Sequence, residues 1–332
     1  QIDSVQIIWT DDKMQTLKNP KANQTLTLDY KNANQAFTYS EDQKKTLFSD
    51  ITAATIAYKH QESNFIDYDR DVLLKRKYST EGPAMAVGDV NGDGLEDIYL
   101  GGAAGQLKQL FIQQKNGKFI ESKQPDFSLD ITTENTDAVF FDADGDNDLD
   151  LFVVTGSNEF LEDAAELHDL LYLNDGKGNL KRDTRFPSIY ENGSCVAAAD
   201  FDKDGDIDLF VGSRMISGKF GLDPGSNLYI NDGTGAFKNQ SKRYFPDIVN
   251  LGMVTAAVWE DVDKDGYQDL IITHDWGSIN VYKNNLGKSI SEGVAIQNTE
   301  GLWNTIKPVD IDGDGDIDFV AGNIGENFKI KA

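Results

Sequence analysis

Residues 200–211 read DFDKDGDIDLFV: aspartates at alternate places, a glycine at the sixth, a further aspartate at the ninth, then an apolar strand. Four more copies of this nine-residue ladder follow the same grammar, DVNGDGLED from Asp89, DADGDNDLD from Asp142, DVDKDGYQD from Asp261 and DIDGDGDID from Asp310. Successive copies start 53, 58, 61 and 49 residues apart. Self-similarity at a period near 50 residues marks a repeat architecture. Each ladder runs into a short apolar stretch (DIYLGG, DLFVVTG, DLFVGS, DLIITH, DFVAGN) that reads as a strand.

The ladder's chemistry is that of a hard cation. Ca²⁺ takes six to eight oxygens in a flexible shell, and alternate side chains of a tight loop converge on one point. Position 1 is Asp89, Asp142, Asp200, Asp261 or Asp310; position 3 is Asn91, Asp144, Asp202, Asp263 or Asp312. Position 5 is Asp93, Asp146, Asp204, Asp265 or Asp314, and position 9 is Asp97, Asp150, Asp208, Asp269 or Asp318. Position 7 (Leu95, Asp148, Asp206, Tyr267, Asp316) is expected to ligate through its backbone carbonyl. At position 6 the chain must turn sharply, which suits Gly94, Gly205, Gly266 and Gly315, and Asn147 in the second copy. The spacing therefore predicts about five calcium ions. An EF-hand needs a bidentate Glu at position 12, where this chain has Leu100, Val153, Val211, Ile272 and Ala321. The plainer alternative, metal-free acidic turns, suits one such loop better than five in register. Like charges about 5 Å apart repel by about 1 kcal/mol per pair even in water, so each loop favours an occupying cation.

Between the ladders lies a second repeated phrase: LFIQQKNGKF at 110–119, LYLNDGKGNL at 171–180, LYINDGTGAF at 228–237 and the degenerate VYKNNLGK at 281–288. Each reads as a strand, a Gly-rich turn and a return strand. Four short strands per repeat predict an all-β chain built of β-propeller blades. Five blade motifs are begun, and a seven-bladed ring would be completed beyond Ala332. Upstream, 1–34 reads as a small antiparallel β unit, 35–50 as a polar linker, and 51–332 as the propeller. Residues 51–82, with the basic run Lys75-Arg76-Lys77, form its lead-in.

Composition narrows the function. The formal charge is −25, of which five dications would offset less than half; that acidity disfavours nucleic acid and anionic lipid as partners. A single cysteine, Cys195 in an apolar run, excludes a disulfide framework and reads as a buried strand residue. No apolar stretch approaches the length of a membrane-spanning helix.

With these motifs in hand, the chain resembles the FG-GAP/VCBS-repeat propellers, whose calcium loops also occur in integrin α subunits. Residues 1–34, containing VQIIWTDDKMQTLKNPKANQTLTL, are similar to the ASPIC/UnbV segment. The order of segments, with GPAMAVGDVNGDGLEDIYLGGAAGQ and FDADGDNDLDLFVVTG, resembles cartilage-acidic-protein-type surface lipoproteins of Bacteroidota. The resemblance implies a calcium-stabilised protein on the extracellular face of the outer membrane. Its implied partners are a SusC-type, TonB-dependent transporter and a SusD-like lipoprotein. Asn91 and Asn147 depart from the family's pattern.

Two functional classes remain. A non-enzymatic binding or assembly module would use its longer loops, here 157–169 and 213–227. Phe160, Arg214, Phe220, Trp276 and Trp303 would then grip a protein surface or a glycan, each with ordinary packing as its alternative. A carbohydrate-active lyase or dehydrogenase would need a convergent acid–base set. The histidines, His60, His168 and His274, sit in unrelated settings, and the sequence has no HExxH, GxSxG, Walker loop or zinc cluster. The reading is therefore non-enzymatic. Polar side chains converging from several blades beside a pocket at the channel mouth, with a displaced His or Arg among them, would favour chemistry instead; a flat or apolar rim packed on another chain would favour assembly.

Overall fold

A computed structural model describes residues 2–38, 48–49, 51 and 55–325. The chain divides into two compact units, 1–51 and 52–332. In the first, β1 (Ser4–Ile8) and β2 (Lys13–Lys18) form an antiparallel hairpin, and β3 (Gln35–Ala36) adds to β2. The small sheet thus extends two residues into the segment read as a linker, most of which lies outside the described residues. Asp12 takes φ +61° in the hairpin turn. Trp9 meets Tyr30 edge-on at 5.4 Å.

The second unit is built of repeated antiparallel meanders. Blade one is β4 (Met85–Gly88), β5 (Asp97–Leu100), β6 (Gln109–Gln113) and β7 (Phe119–Ser122). Blade two is β8 (Asn135–Phe141), β9 (Asp150–Thr155), β10 (Leu170–Leu173) and β11 (Lys181–Asp183). Blade three is β12 (Gly193–Ala199), β13 (Asp208–Ser213), β14 (Asn227–Ile230) and β15 (Lys238–Asn239). Blade four is β16 (Met253–Glu260), β17 (Asp269–Gly277), β18 (Asn280–Tyr282) and β19 (Val294–Ala295). A fifth hairpin, β20 (Gly301–Val309) with β21 (Asp318–Asn323), joins blade four where β17 pairs β20. The first strands β4, β8, β12, β16 and β20 stand side by side in that order. This is the arrangement of propeller blades.

The second strands of blades two and three, β9 and β13, are buried at every residue because each lies between two neighbouring sheets. Alternate side chains serve opposite interfaces, as the pleat requires. Leu209 and Val211 pack with Phe152, Val154 and Leu171 of blade two. Phe210 packs with Val254, Leu270 and Ile272 of blade four. Period-two polarity vanishes in such strands, which explains the near-continuous apolar runs. The outermost strands β11 and β15 are short and polar, so the sheet edges invite no further pairing.

The first strands of blades two to five share a register shift at one place, between Asn135 and Asp137, Gly193 and Cys195, Val254 and Ala256, and Trp303 and Thr305. The bulge residues Thr136, Ser194, Thr255 and Asn304 all line a central cavity of about 280 Å³. Cys195 lines it too; it is buried, which pushes its thiol up to about 12.

Candidate metal centres and the channel mouth

Every ladder is the loop between a blade's first and second strands, so the five acidic corners repeat with the blades. Their hydrogen bonds repeat as well. The position-1 carboxylate accepts from the position-6 N–H in all five: Asp89 from Gly94 (2.7 Å), Asp142 from Asn147 (2.9 Å), Asp200 from Gly205 (3.1 Å), Asp261 from Gly266 (2.8 Å) and Asp310 from Gly315 (3.1 Å). The position-5 carboxylate accepts from the position-7 N–H: Asp93 from Leu95, Asp146 from Asp148, Asp204 from Asp206, Asp265 from Tyr267 and Asp314 from Asp316. Position 6 has positive φ in every copy, from +67° at Asn147 to +101° at Gly205. Position 4 does too, which the sequence reading missed: Gly92, Gly145 and Gly313 sit there, but so do Lys203 (+62°) and Lys264 (+61°). Three glycines in five copies were the available signal.

Four ladders bring three carboxylates within 4.8 Å of one another: Asp142, Asp144 and Asp146; Asp200, Asp202 and Asp208; Asp261, Asp263 and Asp265; Asp310, Asp312 and Asp318. In the first ladder, Asn91 interrupts the acidic set of Asp89, Asp93 and Asp97. Position 9 has a second task. Asp97, Asp150, Asp208 and Asp269 are buried, and each is the first residue of its blade's second strand. Asp150 accepts from Ala143 N–H (2.8 Å) and Asn174 N–H (2.7 Å), Asp208 from Phe201 (3.1 Å) and Asn231 (2.8 Å), and Asp97 from Val90 (3.1 Å) and Gln113 (2.8 Å).

The partner asparagines were visible as a repeated letter, but their role was not. The side-chain amide of Asn174 donates to Leu149 carbonyl in its own ladder (3.0 Å) and to Val90 carbonyl in the preceding blade's ladder (2.7 Å). Asn231 bridges Ile207 and Ala143, and Asn284 bridges Gln268 and Phe201, in the same way. These three residues clip the first four acidic corners one to the next.

The ladders differ in how their charge is met. In the second, Asp144 Oδ1 and Asp148 Oδ1 are buried without hydrogen-bond partners among the described residues; in the third, Asp200 Oδ1 and Asp202 Oδ1 are likewise orphaned. Burial, then neighbouring carboxylates, raise Asp144 and Asp202 and push Asp148 up to about 6. Burial also pushes Asp150 and Asp208 up to about 7, against the backbone bonds they accept. In the fourth ladder Lys283 contacts Asp263 (2.9 Å) and Asp269 (3.2 Å), and its hydrogen bond holds Asp263 below the ordinary range. Lys264 pairs with Asp316 of the fifth. Converging acidic oxygens, several of them orphaned, fit a hard dication.

At the other end of the first strands the charges are balanced. Arg214 donates to Glu81, to Asp275 (3.1 Å) and to Asn304 Oδ1 (2.9 Å). Asp275 also receives Lys75 (2.5 Å) and Tyr78 hydroxyl (2.9 Å). Burial raises Asp275, yet Arg214 and Lys75 beside it bring it below the usual carboxylate range. Polar groups from the lead-in and three blades therefore converge here, each held by another.

The loops singled out as binding elements are tied to the lead-in. Fully buried Asp67 accepts from Tyr78 N–H, Ser79 N–H and Ser79 hydroxyl, and from the Asn158 amide. Arg70 donates to the Asn158 and Phe160 carbonyls, and Asp71 accepts from Phe220 N–H. Of the five candidate gripping residues, Arg214 is a buried ion-pair centre, and the Trp303 indole donates to Thr299 carbonyl (2.7 Å) while packing on the fifth hairpin's core. Phe220 and Trp276 do share a cleft of about 370 Å³ with Asp223 and His274. Trp276 is 49% exposed and holds φ +66°, an uncommon conformation for a bulky residue. The histidines stay apart: His274 Nδ1 bonds Ser278 carbonyl (2.9 Å), His168 Nδ1 meets Arg182 (3.0 Å), and His60 lies by Tyr58 and Glu62.

The FG-GAP-like repeat family model matches residues 89–153, 161–211 and 261–321, and the ASPIC and UnbV model matches 1–35. Integrin alpha-V of Gallus gallus is 27% identical over 255 residues, covering 68% of this chain and 23% of the integrin. The chain therefore spans less than a quarter of that relative's length. Among solved structures, an Agrocybe aegerita lectin described as recognising non-reducing terminal N-acetylglucosamine is similar at TM-score 0.48, with 16% identity over 73% of this chain and 60% of the lectin. The Dos1 propeller is similar at TM-score 0.39, with 13% identity over 69% of this chain and 54% of its own. The family match spans all five ladders and more than half of the residues: the chain belongs to the FG-GAP-like repeat family of β-propeller proteins, with an ASPIC/UnbV segment at residues 1–35.

Proposed function

We propose that this chain is a calcium-stabilised, non-enzymatic binding module displayed at the cell surface. The observation that carries the reading is the set of acidic corners, four with three carboxylates inside 4.8 Å and two with orphaned buried oxygens. At millimolar calcium, a site with a dissociation constant near 10⁻⁴ M gains about 1.5 kcal/mol by mass action. Such ions are therefore structural staples rather than reagents. The non-enzymatic part rests on the channel mouth, where Arg214, Asp275, Lys75 and Glu81 are engaged with one another. The carbohydrate-active alternative would need one of them turned toward a substrate.

We assign binding to the cleft of Phe220, Asp223, His274 and Trp276, where two of the candidate aromatics share a cavity. An exposed indole beside a buried imidazole suits a protein surface, or alternatively a glycan ring. The outer-membrane location, and a SusC/SusD-type, TonB-dependent uptake complex as partner, rest on the resemblance of the repeat and ASPIC/UnbV order. The test is affinity purification of the full-length protein from its native membrane. Co-purification of a transporter that is lost in Trp276→Ala, with an unchanged melting temperature, supports the reading. Recovery of the protein alone, or equal capture by the variant, contradicts it.

A further inference from the structure

We propose that His60, Glu62 and Glu134 form a divalent transition-metal site, separate from the calcium ladders, that fastens the lead-in segment to the junction of blades one and two. One donor atom from each residue lies within 4.8 Å of the other two. Glu134 immediately precedes β8 and is fully buried. Its Oε2 accepts from Ala104 N–H at 2.9 Å, and its Oε1 has no hydrogen-bond partner among the described residues. Glu62 Oε2 and Glu159 Oε1 close by are buried and orphaned as well. Among the described residues, no lysine or arginine forms an ion pair with Glu62 or Glu134. A buried carboxylate beside a second one, with no lysine or arginine to pair it, is a costly arrangement.

The imidazole is already set for ligation. Tyr58 hydroxyl lies 3.2 Å from His60 Nδ1 and donates to Gly101 carbonyl at 2.7 Å, fixing the ring so that Nε2 faces Glu62 Oε1 at 2.6 Å. An oriented second nitrogen is the usual support of a metal-binding histidine. The 2.6 Å approach is that of a shared proton, which an arriving cation displaces to solvent. One imidazole with two carboxylates matches Zn²⁺ or Mn²⁺, bonded at about 2.0–2.2 Å, better than the all-oxygen shell of Ca²⁺. This mixed donor set distinguishes the site from every ladder.

The test is calorimetric titration of Zn²⁺ into the full chain held in saturating Ca²⁺, for wild type, Glu134→Gln and His60→Ala. The expected result is one Zn²⁺ per chain, with proton release and binding at least tenfold weaker in both variants. Co²⁺ should give a visible d–d band in wild type that His60→Ala abolishes. Should Glu134→Gln not fold, Glu62→Gln, altering a partly exposed residue, takes its place. Equal zinc binding in wild type and variants, or binding lost on raising Ca²⁺, overturns the site. Because calcium is saturating throughout, a negative result leaves the ladder reading standing.

Discussion

The acidic corners and the channel mouth both gather charge, and they settle it in opposite ways. At the mouth, Asp275 and Glu81 are neutralised by Lys75 and Arg214 from elsewhere in the fold. In the second and third ladders, no lysine or arginine forms an ion pair with the carboxylates among the described residues, and four of their oxygens are buried there without hydrogen-bond partners. A self-neutralised cluster is complete as it stands, whereas an uncompensated one is what the proposed calcium would complete. The fourth and fifth ladders lie between, with Lys283 and Lys264 partly filling the cation's part.

The largest effect that separates the two regions is chelation. Removing calcium should lower the melting temperature by more than ten degrees, since several sites near 1.5 kcal/mol each act on one cooperative unit. Calorimetry in EDTA against 1 mM Ca²⁺ checks this, and an unchanged transition would erase the contrast. At the mouth, Asp275→Asn strands Lys75 and Arg214 in a buried site and should cost about 3–5 kcal/mol. Chemical denaturation should record that loss equally with and without calcium. Next is Asn231→Ala, which removes the amide clip between two ladders and leaves buried carbonyls short of donors, at about 2–3 kcal/mol. A loss below 0.5 kcal/mol would make the clip incidental.

A further contrast lies in pH dependence. Asp150 and Asp208 are raised to about 7 in the fold, against about 3.9 unfolded. A carboxylic acid raised on folding stabilises the fold at low pH and loses that contribution as pH climbs through its folded value. The calcium-free protein should therefore be more stable at pH 5 than at pH 8. Calcium should shrink or reverse the difference, because the ion favours the ionised form. A calcium-free protein gaining stability toward pH 8 would contradict the desolvated state of these two aspartates.

Much of this was legible in the chain. Ladder spacing gave the blades, and the sixth-position rule held even at Asn147, because local steric demands are written in adjacent letters. What stayed hidden depends on distant partners. Arg214 reads as a loop cation, yet its partners Glu81 and Asp275 lie 133 and 61 residues away. Asn174, Asn231 and Asn284 read as turn residues, although half of each amide's work is done in the preceding blade. Lys203 and Lys264 gave no sign of a left-handed backbone, since lysine does not ordinarily mark one. The His60–Glu62–Glu134 cluster joins residues from the lead-in and from a blade junction, which only the fold brings together.

Titration of calcium into the calcium-free chain tests the central claim most directly. The account predicts saturable binding of four to five ions, with the second and third ladders tightest, and with one tight site lost in Asp144→Asn. Heat no greater than dilution at millimolar calcium, or identical isotherms for wild type and Asp144→Asn, would contradict it.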